Sequence, residues 1–205
     1  MGRFIKFFLI FLITLFLITS IIIVVLLIIG KSWEREFVTN INPDYLISEV
    51  DEFNESLDEK IANFVLSNQE VDFVTFSVQE AGVIIFDSIA EVLGENSFNL
   101  TNIYIEPSVG FWNVCARIDY IELERINFWL CAGFTKDDME TAQLYISDIY
   151  LQGFNIGIIF PNLITMINQG IADALVTVNE NRFSGRYFEN IELLKDSIVV
   201  KGVRM

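Results

Sequence analysis

FWNVCARIDYIELERINFWLCAG, residues 111 to 133, decides the fold. Polar and apolar residues alternate through it twice. In the first half Trp112, Val114, Ala116, Ile118 and Tyr120 fall on one side of a strand, and Asn113, Cys115, Arg117 and Asp119 on the other. In the second half Ile126, Phe128, Leu130 and Ala132 share a face. A period of two marks a half-buried strand, and two such runs joined by a short acidic loop predict an antiparallel hairpin. Pairing through a three-residue loop at Glu122 to Glu124 sets Cys115 opposite Cys131, within reach of a disulfide. The other reading of the two cysteines is a pair of reduced, partly buried thiols acting as small apolar fillers.

More strands flank this hairpin. LTNIYIEP, residues 100 to 107, alternates and runs into a Pro107-Ser108-Val109-Gly110 turn. TAQLYISDIYLQ, residues 141 to 152, alternates with a slip of phase near Asp148, as a bulge would make it. GFNIGIIF, residues 153 to 160, continues the extended pattern. RYFENIELL and SIVVKGVR, joined at Lys195-Asp196, close the chain as two strands. Consecutive strands with short connections predict an antiparallel meander.

Three amphipathic helices accompany the sheet. Asn42-Pro43 reads as a cap followed by proline, and Leu46, Val50, Phe53, Leu57, Ile61 and Phe64 form a stripe on a helix expected over 43 to 67. Its other face carries Glu49, Asp51, Glu52, Glu55, Asp58, Glu59 and Lys60. A short strand at 71 to 76 meets the capping box Ser77-Val78-Gln79-Glu80. The helix after it turns Ala81, Ile84, Ile85, Ile89, Val92 and Leu93 inward and stops at Gly94. Pro161 opens the third, with Leu163, Ile164, Ile167, Ile171, Ala174, Leu175 and Val178 in line to about Asn179. The expected class is α+β: a curved antiparallel sheet packed against long amphipathic helices, behind an N-terminal transmembrane helix.

That first helix is read from residues 7 to 30, FFLIFLITLFLITSIIIVVLLIIG, which contain no charge. The run would be roughly 36 Å long as a helix, enough to cross a bilayer with some tilt. It exceeds a signal-peptide core and lacks a small-residue cleavage pattern, so an uncleaved single-pass anchor is expected. Residues 1 to 6 then form a tail and residues 31 to 42 a juxtamembrane linker, with Trp33 as an interface anchor. Residues 43 to 205 form one domain. Basic residues nearly balance across the span, Arg3 and Lys6 before it and Lys31 and Arg35 after it. Residues 31 to 205 hold 11 Lys and Arg against 28 Asp and Glu, a net charge of −17. Anionic headgroups and nucleic acid would both repel such a domain. The expected placement is the cell membrane, N-terminus cytoplasmic and domain extracytoplasmic, with the bilayer as partner through residues 7 to 30 and no nucleic acid.

The chain has no histidine, which removes His-based nucleophile activation and most zinc sites. Asp137-Asp138 and Glu122-x-Glu124 lie in expected turns, where both carboxyls of a pair would be solvated rather than set apart in pKa. Neither a nucleophile elbow, a phosphate loop nor a dinucleotide fingerprint is present. The expectation is a non-enzyme without cofactor or metal. The apolar surfaces either satisfy one another as a core or leave an elongated groove for an acyl chain. Phe86, Ile89, Leu163, Ile167, Ile171 and Leu175 from the helices, with Trp112, Ile118 and Phe128 from the sheet, would line that groove.

The order of parts resembles the YpmS-like family of membrane-anchored proteins. The likeness rests on SVQEAGVIIF at 77 to 86, NIGIIFPNLI near the start of the third helix, and FENIELLKDSIVVKG at 188 to 202. It implies an extracytoplasmic domain similar to tubular lipid-binding half-barrels, and it brings no catalytic residues. The cysteine pair departs from the family pattern. Two functions follow as expectations: a membrane-tethered module that binds a lipid or other amphiphile in an apolar groove, or a non-catalytic scaffold subunit of an envelope complex, with a dry core and envelope-protein partners.

Overall fold

The computed structural model describes residues 2–48, 54–94, 97–121, 127–136 and 141–204. The chain divides into two compact units, Met1–Asn40 and Ile41–Met205.

The first unit is one helix, α1, Gly2–Asn40. It is long and apolar enough to cross a membrane, and its most apolar stretch reaches a mean hydropathy of 3.3. The helix does not stop at Gly30. It continues through the expected linker to Asn40, where Lys31 pairs with Glu34 at 2.7 Å and Trp33 stacks on Phe37 at 4.8 Å between ring centres. Pairs at these spacings support an exposed helix, and nothing in KSWEREFVTN breaks it.

The second unit is α+β with two antiparallel sheets. The larger holds six strands in the order β1 (Leu46–Ile47), β3 (Phe98–Ser108), β4 (Phe111–Tyr120), β5 (Asn127–Thr135), β6 (Tyr145–Leu151) and β7 (Phe154–Asn155). The smaller holds β2 (Val71–Ser77), β9 (Ser197–Arg204) and β8 (Arg186–Leu193). The single meander expected from the sequence is therefore corrected to two sheets. Residues 98 to 155 do form a meander, but the last two strands pair with the strand before the capping box instead of extending it.

Register on the central hairpin matches the alternation. Cys115 faces Cys131, and Trp112, Val114, Ala116 and Ile118 are buried on the core side. The loop at 122 to 126 lies outside the described residues, as do Asp137 and Asp138. The bulge expected near Asp148 falls across Ser147 and Asp148, where pairing with β5 shifts between Ala132 and Phe134.

Helix α2 spans Asn54–Leu66, α3 Val78–Gly94 and α4 Pro161–Arg182. The helix expected from Pro43 is corrected. Asn42 does cap, accepting from the Asp44 N–H at 3.1 Å, but only the 3₁₀ turn Pro43–Tyr45 follows. Leu46 and Ile47 then pair with Tyr104 and Ile103, a tertiary contact that overrides the helical period. Residues 49 to 53 of that stripe lie outside the described set; Leu57, Ile61 and Phe64 are buried as expected.

The capping box is formed in full. The Ser77 N–H donates to Glu80 Oε2 at 2.7 Å, and the Glu80 N–H donates to Ser77 Oγ at 3.2 Å. Gly82 lets α3 lie close to β1, since a Cβ there would sit 2.5 Å from Ile47 Cδ1. The same helix touches β2 and β9, so it packs on both sheets. Helix α4 rests on β6 and β8. Two links tie the sheets together beside it: Gly110 N–H to the Leu193 carbonyl at 2.8 Å, and Trp112 Nε1 to the Leu194 carbonyl at 2.7 Å.

Candidate apolar cavity

Helix α3 leans on both sheets and α4 on β6 and β8, and side chains of both helices face one hollow above the strands. The space between their apolar faces is a wedge. Side chains fill it only in part, and a cavity of about 260 Å³ remains. Ala81, Ile84, Ile85, Ser88 and Ile89 of α3 form one wall, and Ile171, Leu175 and Val178 of α4 the other. The floor is Phe76, Trp112, Val114, Phe134, Phe188, Ile191, Leu193, Ile198 and Val200, and Leu144 and Phe183 complete the lining. The volume is under twice that of an apolar cavity known to hold benzene, about 150 Å³.

The burial pattern divides these residues. Most of the floor is buried, whereas Ile84, Ile85, Ile89, Ile171, Leu175 and Val178 keep accessible surface, as walls of a hollow do. Ser88 and Trp112 are the two side chains in the lining with a polar group, and both are already bonded, the Ser88 hydroxyl to the Ile84 carbonyl and the Trp112 Nε1 to the Leu194 carbonyl, each at 2.7 Å. No polar atom is left to hold water, so the space suits an apolar occupant.

Of the nine residues expected to line a groove, Ile89, Trp112, Ile171 and Leu175 do so. Phe86, Ile118, Phe128, Leu163 and Ile167 do not. Phe86 is buried on the adjacent face of α3, one turn after Gly82, toward β3. Ile118 pairs with Phe128 toward the other end of the hairpin from Trp112, and Phe128 meets the Phe98 ring edge-on at 6.5 Å. Leu163 and Ile167 sit on the first half of α4, which β6 covers; there Asn168 Oδ1 accepts from the Ile146 N–H at 2.7 Å. The stripe on α4 is real but serves two surfaces in succession.

The sequence reading missed the floor contributed by β8 and β9. FENIEL alternates visibly, yet only the pairing of β9 with both β2 and β8 turns Phe188, Ile191 and Leu193 toward the helices. It also missed Arg186, which is fully buried. Its guanidinium donates to the carbonyls of Phe64 at 2.6 Å, Gly202 at 3.1 Å, and Ser67 and Gln69 each at 2.9 Å, and it stacks over the Phe64 ring. This is a structural clamp joining α2, the loop after it and β9, since four backbone acceptors take four of the five guanidinium N–H groups. Nearby, the Ser67 hydroxyl, the Phe73 N–H and then the Arg186 charge hold the Asp72 carboxyl below its ordinary 3.8.

Cys115 and Cys131 are joined in a disulfide, which settles the alternative left open by the sequence. No group of metal-ligating side chains occurs among the described residues. A second, solvent-open depression of about 470 Å³ lies between α2 and β2, lined by Ser56, Glu59, Lys60, Asn63 and Phe73 among others. It is charged and shallow, whereas the wedge is walled by apolar side chains, so the wedge is the better ligand site. Comparison with protein-family models, with curated proteins and with solved structures finds no match.

Proposed function

We propose that the protein is a membrane-tethered, non-catalytic module that binds a lipid or other amphiphile by inserting an alkyl chain between α3 and α4. The observation that carries this reading is the cavity itself: apolar walls from α3 and α4 over an apolar floor, with the Ser88 hydroxyl and the Trp112 N–H already bonded. Its volume suits one alkyl chain or part of one rather than a whole two-chain lipid. The Cys115–Cys131 disulfide supports placing the domain on the extracytoplasmic side of the cell membrane, where such bonds persist, with the N-terminal tail cytoplasmic. The resemblance to YpmS-like proteins points the same way.

A photoreactive fatty acid, added to the full chain in phospholipid nanodiscs and then activated, tests the proposal. Label on α3, α4 and β8 peptides supports it, and label confined to α1 overturns it. The scaffold reading is favoured by one observation, the exposed Glu59 and Phe73 at the open depression beside α2. Charge reversal at Glu59 that removed a co-purifying envelope protein, with no lipid in the cavity, would favour it. Glu52 and the Glu55 side chain, expected on the same acidic face, lie outside what the structure describes.

A further inference from the structure

The turn that precedes α4 holds three large apolar side chains in solvent. Ile158 is 79%, Ile159 65% and Phe160 59% exposed, and Met166, further along α4, is 66% exposed. The expected extended run ends at Asn155, and a built turn replaces it. The Ile158 N–H donates to Asn155 Oδ1 at 3.2 Å, and the N–H groups of Ile159 and Phe160 donate to the Ile156 carbonyl at 3.1 and 2.9 Å. Gly157 lies against Ile149 and Ile164, and Pro161 starts the helix at once. The three N–H groups of the turn are bonded within it, and the three side chains point outward.

Charge sets this segment apart from the rest of the domain. Between Asp148 and Asp173 there is no charged residue, a run of 24. Elsewhere in residues 31 to 205 no charge-free run exceeds ten residues. Only the α1 span is comparable. A domain of net charge −17 has no electrostatic route to a membrane surface. The Asp148 carboxylate borders the turn, accepting from the Asn155 side chain at 3.3 Å, but Ile158 to Phe160 themselves bear no charge. An uncharged apolar tip on a chain that carries a membrane-length helix fits the boundary between headgroups and acyl chains. The tether supplies the high local concentration that lets three side chains suffice.

We propose that the Ile158–Phe160 turn is a second membrane contact, dipping into the lipid interface of the bilayer that holds α1. The contact stands apart from the cavity reading and survives its failure.

The test places an environment-sensitive fluorophore on Ile159→Cys in the full chain, in phosphatidylcholine nanodiscs and without reductant, since both native cysteines are bonded. The same label on Ser184→Cys, exposed beyond the other end of α4 and roughly 33 Å away, is the reference. The expected result is shorter-wavelength emission at 159 that loses most of its intensity when the lipids carry a nitroxide near the headgroup end of the acyl chain. Adding Ile158→Asp should return the probe to a water-like spectrum; the side chain is exposed, so the fold is not at risk. Emission at 159 equal to that at 184 overturns the proposal. So does a shifted spectrum that lipid nitroxides fail to quench, which assigns the tip to a protein surface. Quenching that persists with Ile158→Asp shows that apolar insertion is not what holds the tip.

Discussion

The Trp112 indole donates to the Leu194 carbonyl at 2.7 Å, a hydrogen bond from the floor of the cavity in the six-stranded sheet to the end of the three-stranded one. Trp112 also faces Phe134 across the hairpin, and both rings line the cavity. The residue therefore fixes the angle between the sheets and part of the cavity shape at once. Trp112→Phe keeps most of the ring but removes the donor. It should destabilise the domain by about 1 kcal/mol, read as a lower Tm of the full chain, and loosen ligand retention as the sheets part.

Arg186 predicts a larger effect. Lysine in its place retains charge but cannot reach four carbonyls with a planar fork, and it leaves several acceptors and a buried charge poorly satisfied. Arg186→Lys should lower stability by about 3 kcal/mol in a denaturation series. A loss near zero would show that the clamp is not holding α2 to β9.

The disulfide closes a loop across 16 residues of sequence, and breaking it should cost about 3 kcal/mol by the chain-entropy account. The double variant Cys115→Ala, Cys131→Ala should show this drop in Tm. Oxidised wild type should resist alkylation until it is reduced. Full alkylation of native protein in its membrane would contradict both the bridge and the extracytoplasmic placement.

Acid should weaken the domain through two carboxylates. Burial alone would raise the Glu80 pKa, but the Lys60 ammonium, 2.6 Å away, and the Ser77 N–H outweigh it and hold the group below its ordinary 4.5. Asp72 is likewise lowered, first by the Ser67 hydroxyl. A lowered folded-state pKa gives stability that is fully present above the unfolded value and is lost as pH falls through the folded one. Stability should therefore hold above about pH 5 and decline below the ordinary carboxyl values of 4.5 and 3.8. Glu80→Gln should lower stability at neutral pH and flatten the upper part of that decline. An unchanged profile would remove the Lys60–Glu80 pair from the account.

These outcomes show which features local chemistry encodes. Alternation was legible on β4 because Trp112, Val114, Ala116 and Ile118 are buried on one face and Asn113, Arg117 and Asp119 lie on the other, and the hairpin register followed, with Cys115 opposite Cys131; on β5 the buried side chains are Trp129 and Cys131, not Phe128, Leu130 and Ala132. The capping box at Ser77 and Glu80 and the proline start of α4 were legible because their partners lie within a few residues. Contacts distant in sequence were not. Leu46 opens a helical stripe in the sequence, and only β3, more than fifty residues later, draws it and Ile47 into a strand. The separate second sheet depends on β2 meeting β9 across more than a hundred residues. The cavity was half legible for the same reason. The stripes on α3 and α4 are local, but the gap between the helices is decided by which strands each one rests on.

The most direct measurement is native mass spectrometry of the full chain released from nanodiscs made with a defined phospholipid, comparing wild type with Ile171→Trp and Ile167→Glu. Ile171 lines the cavity, so the larger indole should fill it; Ile167 lies off it on the same helix. The account predicts a discrete added mass, matching a fatty acid or lipid, on wild type and Ile167→Glu, and its loss from folded Ile171→Trp. Bare protein in all three samples, or the same adduct on all three, would contradict it.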